Sequence, residues 1–197
     1  MRGAALFFIC LTAAFWTKAQ TPELKSVVGA SIGIGNLYYG KSYDPVVPPL
    51  MAFYEYRLSD NAFGINNLSI GTGGAIGFMK VRSVTTYGDA TLTSKLSEVT
   101  IALKITGHYP LIPSAQWDTY GTVLIGWGIA NNRNSWEGND ETIALAKSLG
   151  WENEAEIGGP AFGIMAGCRY LFTDNLAANV EIGYGPAFFN FGCCYLF

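Results

Sequence analysis

Apolar side chains alternate with small or polar ones along eight segments of the chain, a pattern typical of strands with two different faces. Each segment has about the ten residues that a tilted membrane-spanning strand needs. The segments are 28–35, 50–58, 68–78, 99–108, 120–129, 162–172, 176–185 and 188–197. They predict an all-β fold, an eight-stranded antiparallel up-and-down transmembrane β-barrel.

Turn-forming residues separate these segments and predict short turns on one side of the barrel and longer loops on the other. Ser59-Asp60-Asn61 and Thr173-Asp174-Asn175 have the composition of tight turns. The polar segments 82–95 and 131–159 are predicted loops, and the second is the longest connection.

One face of the predicted strands carries Val, Ile, Leu and aromatic residues, and the other carries mostly Gly, Ala, Ser and Thr. A soluble barrel would bury the first face and expose a glycine-rich wall to water. A barrel in lipid would expose the first face to acyl chains and turn the small and polar side chains into a narrow lumen, which the sequence favours. Aromatic residues near both ends of the strands are typical of membrane interfaces.

Composition supports a single folded domain in the cell envelope. The chain has 197 residues, only 14% of them charged, and a mean hydropathy of +0.23, which excludes a disordered chain. Residues 1–19 have the basic start, apolar run and small residues of a signal peptide, so the barrel domain is predicted at 20–197. The formal net charge of −3 gives no reason to expect a nucleic-acid partner.

Six charged side chains fall on the predicted inward face, three of each sign. They are Glu55, Arg57, Lys104, Asp118, Arg169 and Glu181. Because a buried charge is costly unless it is paired, this balance predicts a lumen polar network that plugs the barrel. Arg169 and Glu181 lie on strands joined by one turn, as diagonal neighbours within reach of each other. The alternative is a gate or narrow polar pathway.

The sequence offers little for catalysis or metal binding. Its one histidine, His108, is predicted near the turn-side mouth of the barrel, and no serine adjoins it. Acyl-transfer chemistry needs an activated nucleophile beside a base, so no catalytic residue, metal site or cofactor is predicted. Cys168, Cys193 and Cys194 are interpreted as small apolar fillers, and two strand spacings separate Cys168 from Cys193, too far for a disulfide.

The long loop is a candidate extracellular binding site. It is acidic, and Asn139 or Asp140 could cap a short helix that ends before Gly150. Two tryptophans flank that helix and could pack it over the mouth of the barrel. The candidate residues are Trp136, Asp140, Glu141, Trp151 and Glu152. A ligand or partner protein could bind here, although a solvated cap that packs only on itself is the simpler interpretation.

Over the whole predicted barrel domain the chain resembles the small eight-stranded outer-membrane β-barrels of Gram-negative bacteria, of the Bacteroidota type. The resemblance rests on terminal Tyr195-Leu196-Phe197 behind Phe189, Phe191 and Cys193, and on the closing hairpin with Gly167-Cys168-Arg169-Tyr170, Thr173-Asp174-Asn175 and Glu181-Ile182-Gly183-Tyr184-Gly185. In that family Phe189, Phe191, Tyr195 and Phe197 would form the signal that the barrel-assembly machinery recognises. The resemblance implies location in the outer membrane and contact with its lipid, but it implies little about function.

Three functions remain open from the sequence. The first is a non-enzymatic outer-membrane protein with an envelope-structural or loop-mediated binding role for an unknown extracellular ligand or partner. The second is a small porin-like channel for a hydrophobic or small polar solute. The third is a soluble periplasmic barrel that binds a ligand.

Overall fold

The computed structural model describes residues 26–35, 44–150 and 156–197, which form a closed barrel of eight antiparallel strands. Each strand pairs with the next along the chain, and β8 pairs with β1 to close the ring, so the predicted fold is confirmed. The strands are β1 (Ser26–Ile34), β2 (Asp44–Ser59), β3 (Ser69–Tyr87), β4 (Ala90–His108), β5 (Trp117–Glu137), β6 (Glu156–Leu171), β7 (Leu176–Tyr184) and β8 (Phe189–Leu196). The predicted signal peptide, 1–19, lies outside the described residues.

The two faces of each strand point as the sequence predicts. On β4, Ile101 is 60% exposed on the outer wall, whereas Lys104 on the inward face is fully buried at 0% exposure. The same division holds on β6, where Ile164 is exposed and Arg169 is buried. The barrel therefore has an apolar exterior and carries its charges inside. Closure leaves no free sheet edge along this wall.

Aromatic side chains cluster on the outer wall at the turn side of the barrel. The rings of Trp117 and Tyr170 lie 4.9 Å apart, and those of Tyr170 and Phe172 lie 5.3 Å apart. Such distances are typical of favourable aromatic pairs. The position of these rings at the end of the apolar wall agrees with the predicted interfacial group.

Three strands extend well beyond the rest, and the prediction of a loop at 82–95 is wrong. The pairing of β3 with β4 continues without a break to Tyr87 and Ala90, and Gly88-Asp89 makes the turn. Gly88 has a φ of 57°, a conformation that glycine adopts without strain. The many threonines of this segment favour strand, but each of its faces mixes polar and apolar residues, as where Thr85 pairs with Leu92 and Val84 with Thr93, so the apolar alternation disappears.

We call this extension the tongue, and we define it as residues 83–94 of the β3–β4 hairpin together with 132–137 of β5. Among the described residues, β2 pairs with β3 only as far as Arg82, and β6 pairs with β5 only as far as Asn131. The predicted loop 131–159 therefore begins too early, because β5 continues to Glu137. The tongue extends past the barrel wall on the loop side.

The connections on the turn side are only partly as predicted. Ser59-Asp60-Asn61 is not a tight turn, because the chain continues into a short 3-10 helix at Ala62–Gly64. The side chain of Asn61 accepts a hydrogen bond from the backbone N–H of Asn67 at 2.9 Å and closes this longer connection. The turn at Thr173-Asp174-Asn175 is confirmed, and the Thr173 hydroxyl accepts from the N–H of Leu176 at 3.0 Å.

The long connection after β5 contains one helix, α1 (Asp140–Ser148). The Asn139 side chain accepts a hydrogen bond from the N–H of Glu141 at 2.9 Å, so the predicted cap is confirmed. Gly150 follows with a φ of 88°, where the helix was expected to end. Across the part of the chain that the structure describes, no helix is long and apolar enough to cross a membrane.

Candidate functional site

The centre of the lumen holds an ion pair between side chains of two strands that are not neighbours. Glu55 on β2 and Lys104 on β4 are both paired in register with Gly73 of the intervening β3. Because Gly73 has no side chain, Lys104 Nζ reaches Glu55 Oε2 at 2.6 Å across it. Lys104 also donates to the Thr106 hydroxyl at 2.7 Å, and its ammonium lies 5.1 Å from the ring of Phe53.

His108 links this pair to a second carboxylate. Its Nε2 lies 2.8 Å from Glu55 Oε1, and its Nδ1 lies 2.9 Å from Asp118 Oδ1. Both partners are carboxylates, which accept hydrogen bonds when ionised. Both ring nitrogens must then donate, and only the doubly protonated imidazolium does so. His108 is therefore assigned as a cation held between two anions.

Arg169 and Tyr120 continue the connection to the far side of the lumen. Arg169 Nη1 donates to Asp118 Oδ2 at 2.9 Å, and its guanidinium lies 5.1 Å from the ring of Tyr120. The Tyr120 hydroxyl donates to Glu181 Oε1 at 3.0 Å. Gly167 lies beneath this ring, where a Cβ would come within 2.7 Å of its atoms. A glycine in the wall thus leaves room for a large side chain in the lumen.

We refer to these seven side chains as the lumen network. Its members are Glu55, Lys104, His108, Asp118, Tyr120, Arg169 and Glu181. Three carboxylates face three cations, counting His108 as imidazolium, so the formal charges cancel. The network joins β2, β4, β5, β6 and β7. Replacing any one charged member of such a network lowers the stability of the fold, because its partner would be left buried and uncompensated.

The structure brings five of the six predicted charges into this network. Arg57 is the sixth; it is only half-buried and lies nearer the turn-side mouth. The diagonal placement of Arg169 and Glu181 agrees with the register, in which Arg169 pairs with Asn179 on β7. The ion pairs of Arg169, however, are with Asp118 and, at 4.0 Å, with Glu55. Glu181 instead accepts from Tyr120, which the sequence analysis did not select.

One side of the lumen carries buried polar atoms that have no hydrogen-bond partner among the described residues. They are Arg169 Nε and Nη2, both polar side-chain atoms of Asn179, Glu181 Oε2 and Ser31 Oγ. Asn179 and Glu181 are each only 1% exposed. Leaving such atoms unpaired costs about 1–3 kcal/mol each, so water or a small polar ligand is expected beside them.

The turn side of the lumen opens into a cavity of about 490 Å³. Asp118 and His108 lie at its floor, and the Asp118 side chain is 20% exposed. Arg57, Asn61 and Tyr109 also line it. Water can therefore reach the network from the turn side at Asp118, whereas Lys104 and Arg169 remain fully buried.

The arrangement is poorly suited to catalysis. Both nitrogens of His108 are engaged by carboxylates, so neither is available to take a proton from a nucleophile. No group of three or more metal-ligating side chains that could hold an ion occurs among residues 26–35, 44–150 and 156–197. Cys168, Cys193 and Cys194 are free thiols, and Cys194 is buried with its Sγ 3.7 Å from the carbonyl oxygen of Ala177.

The other predicted site residues lie far from the lumen network. Phe189, Phe191, Tyr195 and Phe197 all lie exposed on the outer wall, in line along and just after β8. Asp140 and Glu141 form the first turn of α1. Trp136 is half-buried on the tongue, and its indole N–H has no hydrogen-bond partner within the described part of the chain. Trp151 and Glu152 lie outside the described residues.

Several lumen residues were missed because their importance depends on which strands are neighbours. His108, predicted near the turn-side mouth and not selected as a site residue, is one of them. Thr106, Thr122 and Tyr120 also face inward, and their alternation with Ile105 and Val123 was the signal that could have identified them. Nothing in the local sequence indicates that His108 lies between Glu55 and Asp118.

The fold and the lumen together define a class of protein: a closed eight-stranded antiparallel barrel with an apolar exterior and a charge-balanced, plugged lumen. No family model and no curated protein matches the sequence. Among solved structures, the chain is similar to Ail, the attachment invasion locus protein of Yersinia pestis. The identity is 13% for Ail in complex with the heparin analogue sucrose octasulfate and 14% for Ail alone, with TM-scores of 0.40 and 0.34. Both matches cover 88% of this chain and 93% of Ail.

Proposed function

We propose that the chain is a non-enzymatic integral outer-membrane β-barrel that anchors a binding surface at the cell exterior. One observation carries the membrane location: isoleucines, leucines, valines and aromatic rings cover the outer wall, while Lys104, Arg169 and Glu181 are buried inside. In water this exterior would be a continuous apolar surface far larger than soluble proteins expose. In a bilayer the same wall faces acyl chains, and the closed ring of paired strands leaves no sheet edge in lipid.

The lumen network supports a structural rather than a transporting role for the barrel interior. Its ion pairs tie four of the eight strands together from within, and the hydrogen bond from Tyr120 to Glu181 adds a fifth. Phe53, Leu124 and Met165 fill the lumen beside Lys104 with buried apolar side chains. In this proposal the plug holds the shape of the barrel and leaves the loop side to carry the binding role.

The tongue and α1 are the proposed binding surface. Val84 and Tyr87 on the tongue and Leu145 and Leu149 at the end of the α1 segment are exposed apolar side chains. They lie on the loop side, beyond the last pairing of β3 with β2 and of β5 with β6. Exposed apolar side chains outside the apolar wall are candidate contact points for another protein. An extracellular partner protein is therefore the ligand class that we favour.

Assembly of the barrel would follow the outer-membrane route. The exposed, aligned aromatic side chains of Phe189, Phe191, Tyr195 and Phe197 support recognition by the barrel-assembly machinery. The N-terminal segment 1–19 would direct export and be removed. The lipid of the outer membrane then becomes the permanent partner of the outer wall.

The test places a single reporter cysteine on each side of the barrel. Asp89→Cys lies in the tongue turn, and Asp174→Cys lies in the β6–β7 turn. A membrane-impermeant maleimide should label the first in intact cells and the second only after the outer membrane is broken. The unsubstituted chain measures background from its own cysteines. Labelling of neither variant in intact cells, or absence of a heat-modifiable band on a gel, would reject the proposal.

A small pore is the second candidate, because the unpartnered atoms of Arg169, Asn179 and Glu181 favour a hydrated path along one side of the lumen. Single-channel recording in planar bilayers separates the two functions. The plugged barrel should give no steady openings, with or without Glu181→Gln. Steady openings whose conductance changes in Glu181→Gln would favour the pore.

A further inference from the structure

Three basic side chains lie side by side on the outer wall where the tongue begins. Arg82 on β3 pairs in register with Lys95 on β4, and Lys95 pairs in register with Arg133 on β5. Directly paired residues project from the same face of a sheet. All three side chains are exposed, and Lys80, two residues before Arg82, lies on the same face. We call these four residues the basic row.

The basic row concentrates positive charge in a chain that is acidic overall. It holds four of the eight lysines and arginines in the described residues. Like charges directly opposite each other in a sheet are destabilising. Among the described residues, the one acid paired in register with the row is Asp44, opposite Arg82, so the positive charges outnumber this acidic neighbour. Such a row is stabilised when an external anion binds it.

The distance of the basic row from the end of the apolar wall indicates which anion it can reach. Phe78, Val99 and Ile129 form the last apolar row on the same three strands and the same face. Arg82 follows Phe78 by four residues, which is roughly 13 Å along the strand, or roughly 10 Å of height at the usual barrel tilt. The headgroup layer beyond the hydrocarbon is roughly 5–7 Å thick. Flexible basic side chains just above this layer can reach back into it.

We propose that the basic row binds the phosphate groups of anionic lipid headgroups in the leaflet on the loop side. Arginine forks and lysine ammonium groups are the common protein ligands of phosphate. Each of these charges near a lipid surface contributes about 1 kcal/mol of attraction, which corresponds to about a fivefold change in affinity. The row would fix the depth and tilt of the barrel on the β3–β5 side. This inference rests on the proposed membrane location.

The test titrates the detergent-folded full chain with diheptanoyl phosphatidic acid and counts retained lipid by native mass spectrometry. Diheptanoyl phosphatidylcholine has the same acyl chains without net charge, and inorganic phosphate is the free source of the same anion. The chain should retain phosphatidic acid in preference to phosphatidylcholine and should show no comparable affinity for inorganic phosphate. The triple variant R82Q/K95Q/R133Q should bind phosphatidic acid about 100-fold more weakly.

Two controls test whether binding depends on the basic row itself or on any positive charge of the chain. Lys95→Gln should weaken binding severalfold, whereas the same substitution at Lys147 on α1 should change it by less than about twofold. R82K/R133K keeps the charge and should retain more affinity than the corresponding pair of glutamines. These variants change the outer wall of the tongue base and leave the lumen network intact.

Three results would overturn the inference: equal retention of phosphatidylcholine, unchanged binding by the triple variant, or binding of inorganic phosphate as tight as that of phosphatidic acid. The same samples report on the proposed function through heat-modifiable migration. If the gel migration of the protein changes on heating but the protein shows no headgroup preference, the inference alone is refuted. If the gel migration does not change on heating, the proposed membrane barrel is refuted, and the inference with it.

Discussion

Glu55 and Lys104 form a 2.6 Å ion pair over a strand that places no side chain between them. The intervening residue is Gly73, which pairs in register with both. A Cβ there would meet the backbone of Tyr54 and Glu55, so a larger residue would displace the strand that carries the carboxylate. The lumen network therefore depends on the glycine of β3 as well as on the charges on either side of it.

Gly73→Ala should destabilise the barrel by about 1–3 kcal/mol, the usual effect of overpacking. A Cβ at Gly73 would lie against the backbone carbonyl of Tyr54 and only 2.9 Å from Glu55 Cα. Gly74→Ala is the matched control, because its Cβ would be exposed, with its nearest neighbour the carbonyl oxygen of Ala102 at 3.8 Å. Urea unfolding in lipid vesicles, followed by tryptophan fluorescence, measures both. Equal losses in the two variants would contradict the packing that we describe.

Lys104→Met should destabilise the barrel by about 3–5 kcal/mol, because it leaves the Glu55 carboxylate buried without its closest cation. Adding Glu55→Gln should recover much of this loss, since the remaining amide no longer carries a buried charge. Lys95→Met, on the outer wall, should change the free energy of unfolding by less than about 0.5 kcal/mol. A double variant no more stable than Lys104→Met would show that the pair is not coupled.

His108 should carry protons on both ring nitrogens at neutral pH, because each nitrogen faces a carboxylate at hydrogen-bond distance. Nitrogen-15 NMR of the folded protein in detergent can read this directly, and the signal is unambiguous because the chain has one histidine. The imidazolium signals should persist in Arg57→Gln, which changes the cavity wall but neither carboxylate. A spectrum with one unprotonated ring nitrogen would contradict the assignment.

Cys193 and Cys194 should respond in opposite ways to the same substitution. Cys193 is exposed on the outer wall, so Cys193→Leu should leave stability within about 0.5 kcal/mol. Cys194 is buried in the lumen among Val27, Ala177 and Leu196, so Cys194→Leu should overpack it by about 1–3 kcal/mol. Unfolding of the two variants under identical conditions makes the comparison. If both leucines are tolerated equally, the assigned faces of β8 are wrong.

The alternation of side chains allowed the fold to be predicted, because the direction in which a strand residue points depends only on its own position. Ile101 and Lys104 could be assigned to the outer wall and to the lumen without knowing any neighbour. The partners of His108 could not, because they depend on the register of β2 and β5 against β4. Five of the six charges predicted on the inward face lie in the lumen network, but which of them pair depends on the three-dimensional arrangement of the strands.

The sequence did not predict the tongue, and the reason is a different one. Beyond the apolar wall each face of these strands mixes polar and apolar residues, with buried Leu92 paired opposite Thr85, so the apolar period disappears while the backbone pairing continues. Thr85, Thr86 and Thr91 retain strand propensity without any alternation that would reveal it. The hydropathy pattern therefore marks the extent of the apolar wall, and it does not show how far the same strands continue beyond it.

The unbroken pairing of β3 with β4 also determines where the chain can change in length. Inserting one residue into the lower half of either strand would exchange inner and outer positions and turn ionic groups toward acyl chains. Inserting matched pairs of residues beside Gly88-Asp89 would lengthen the hairpin and leave every position below it where it was. In the proposed orientation, the tip of this hairpin is therefore the position at which a foreign peptide epitope could be inserted for display outside the cell.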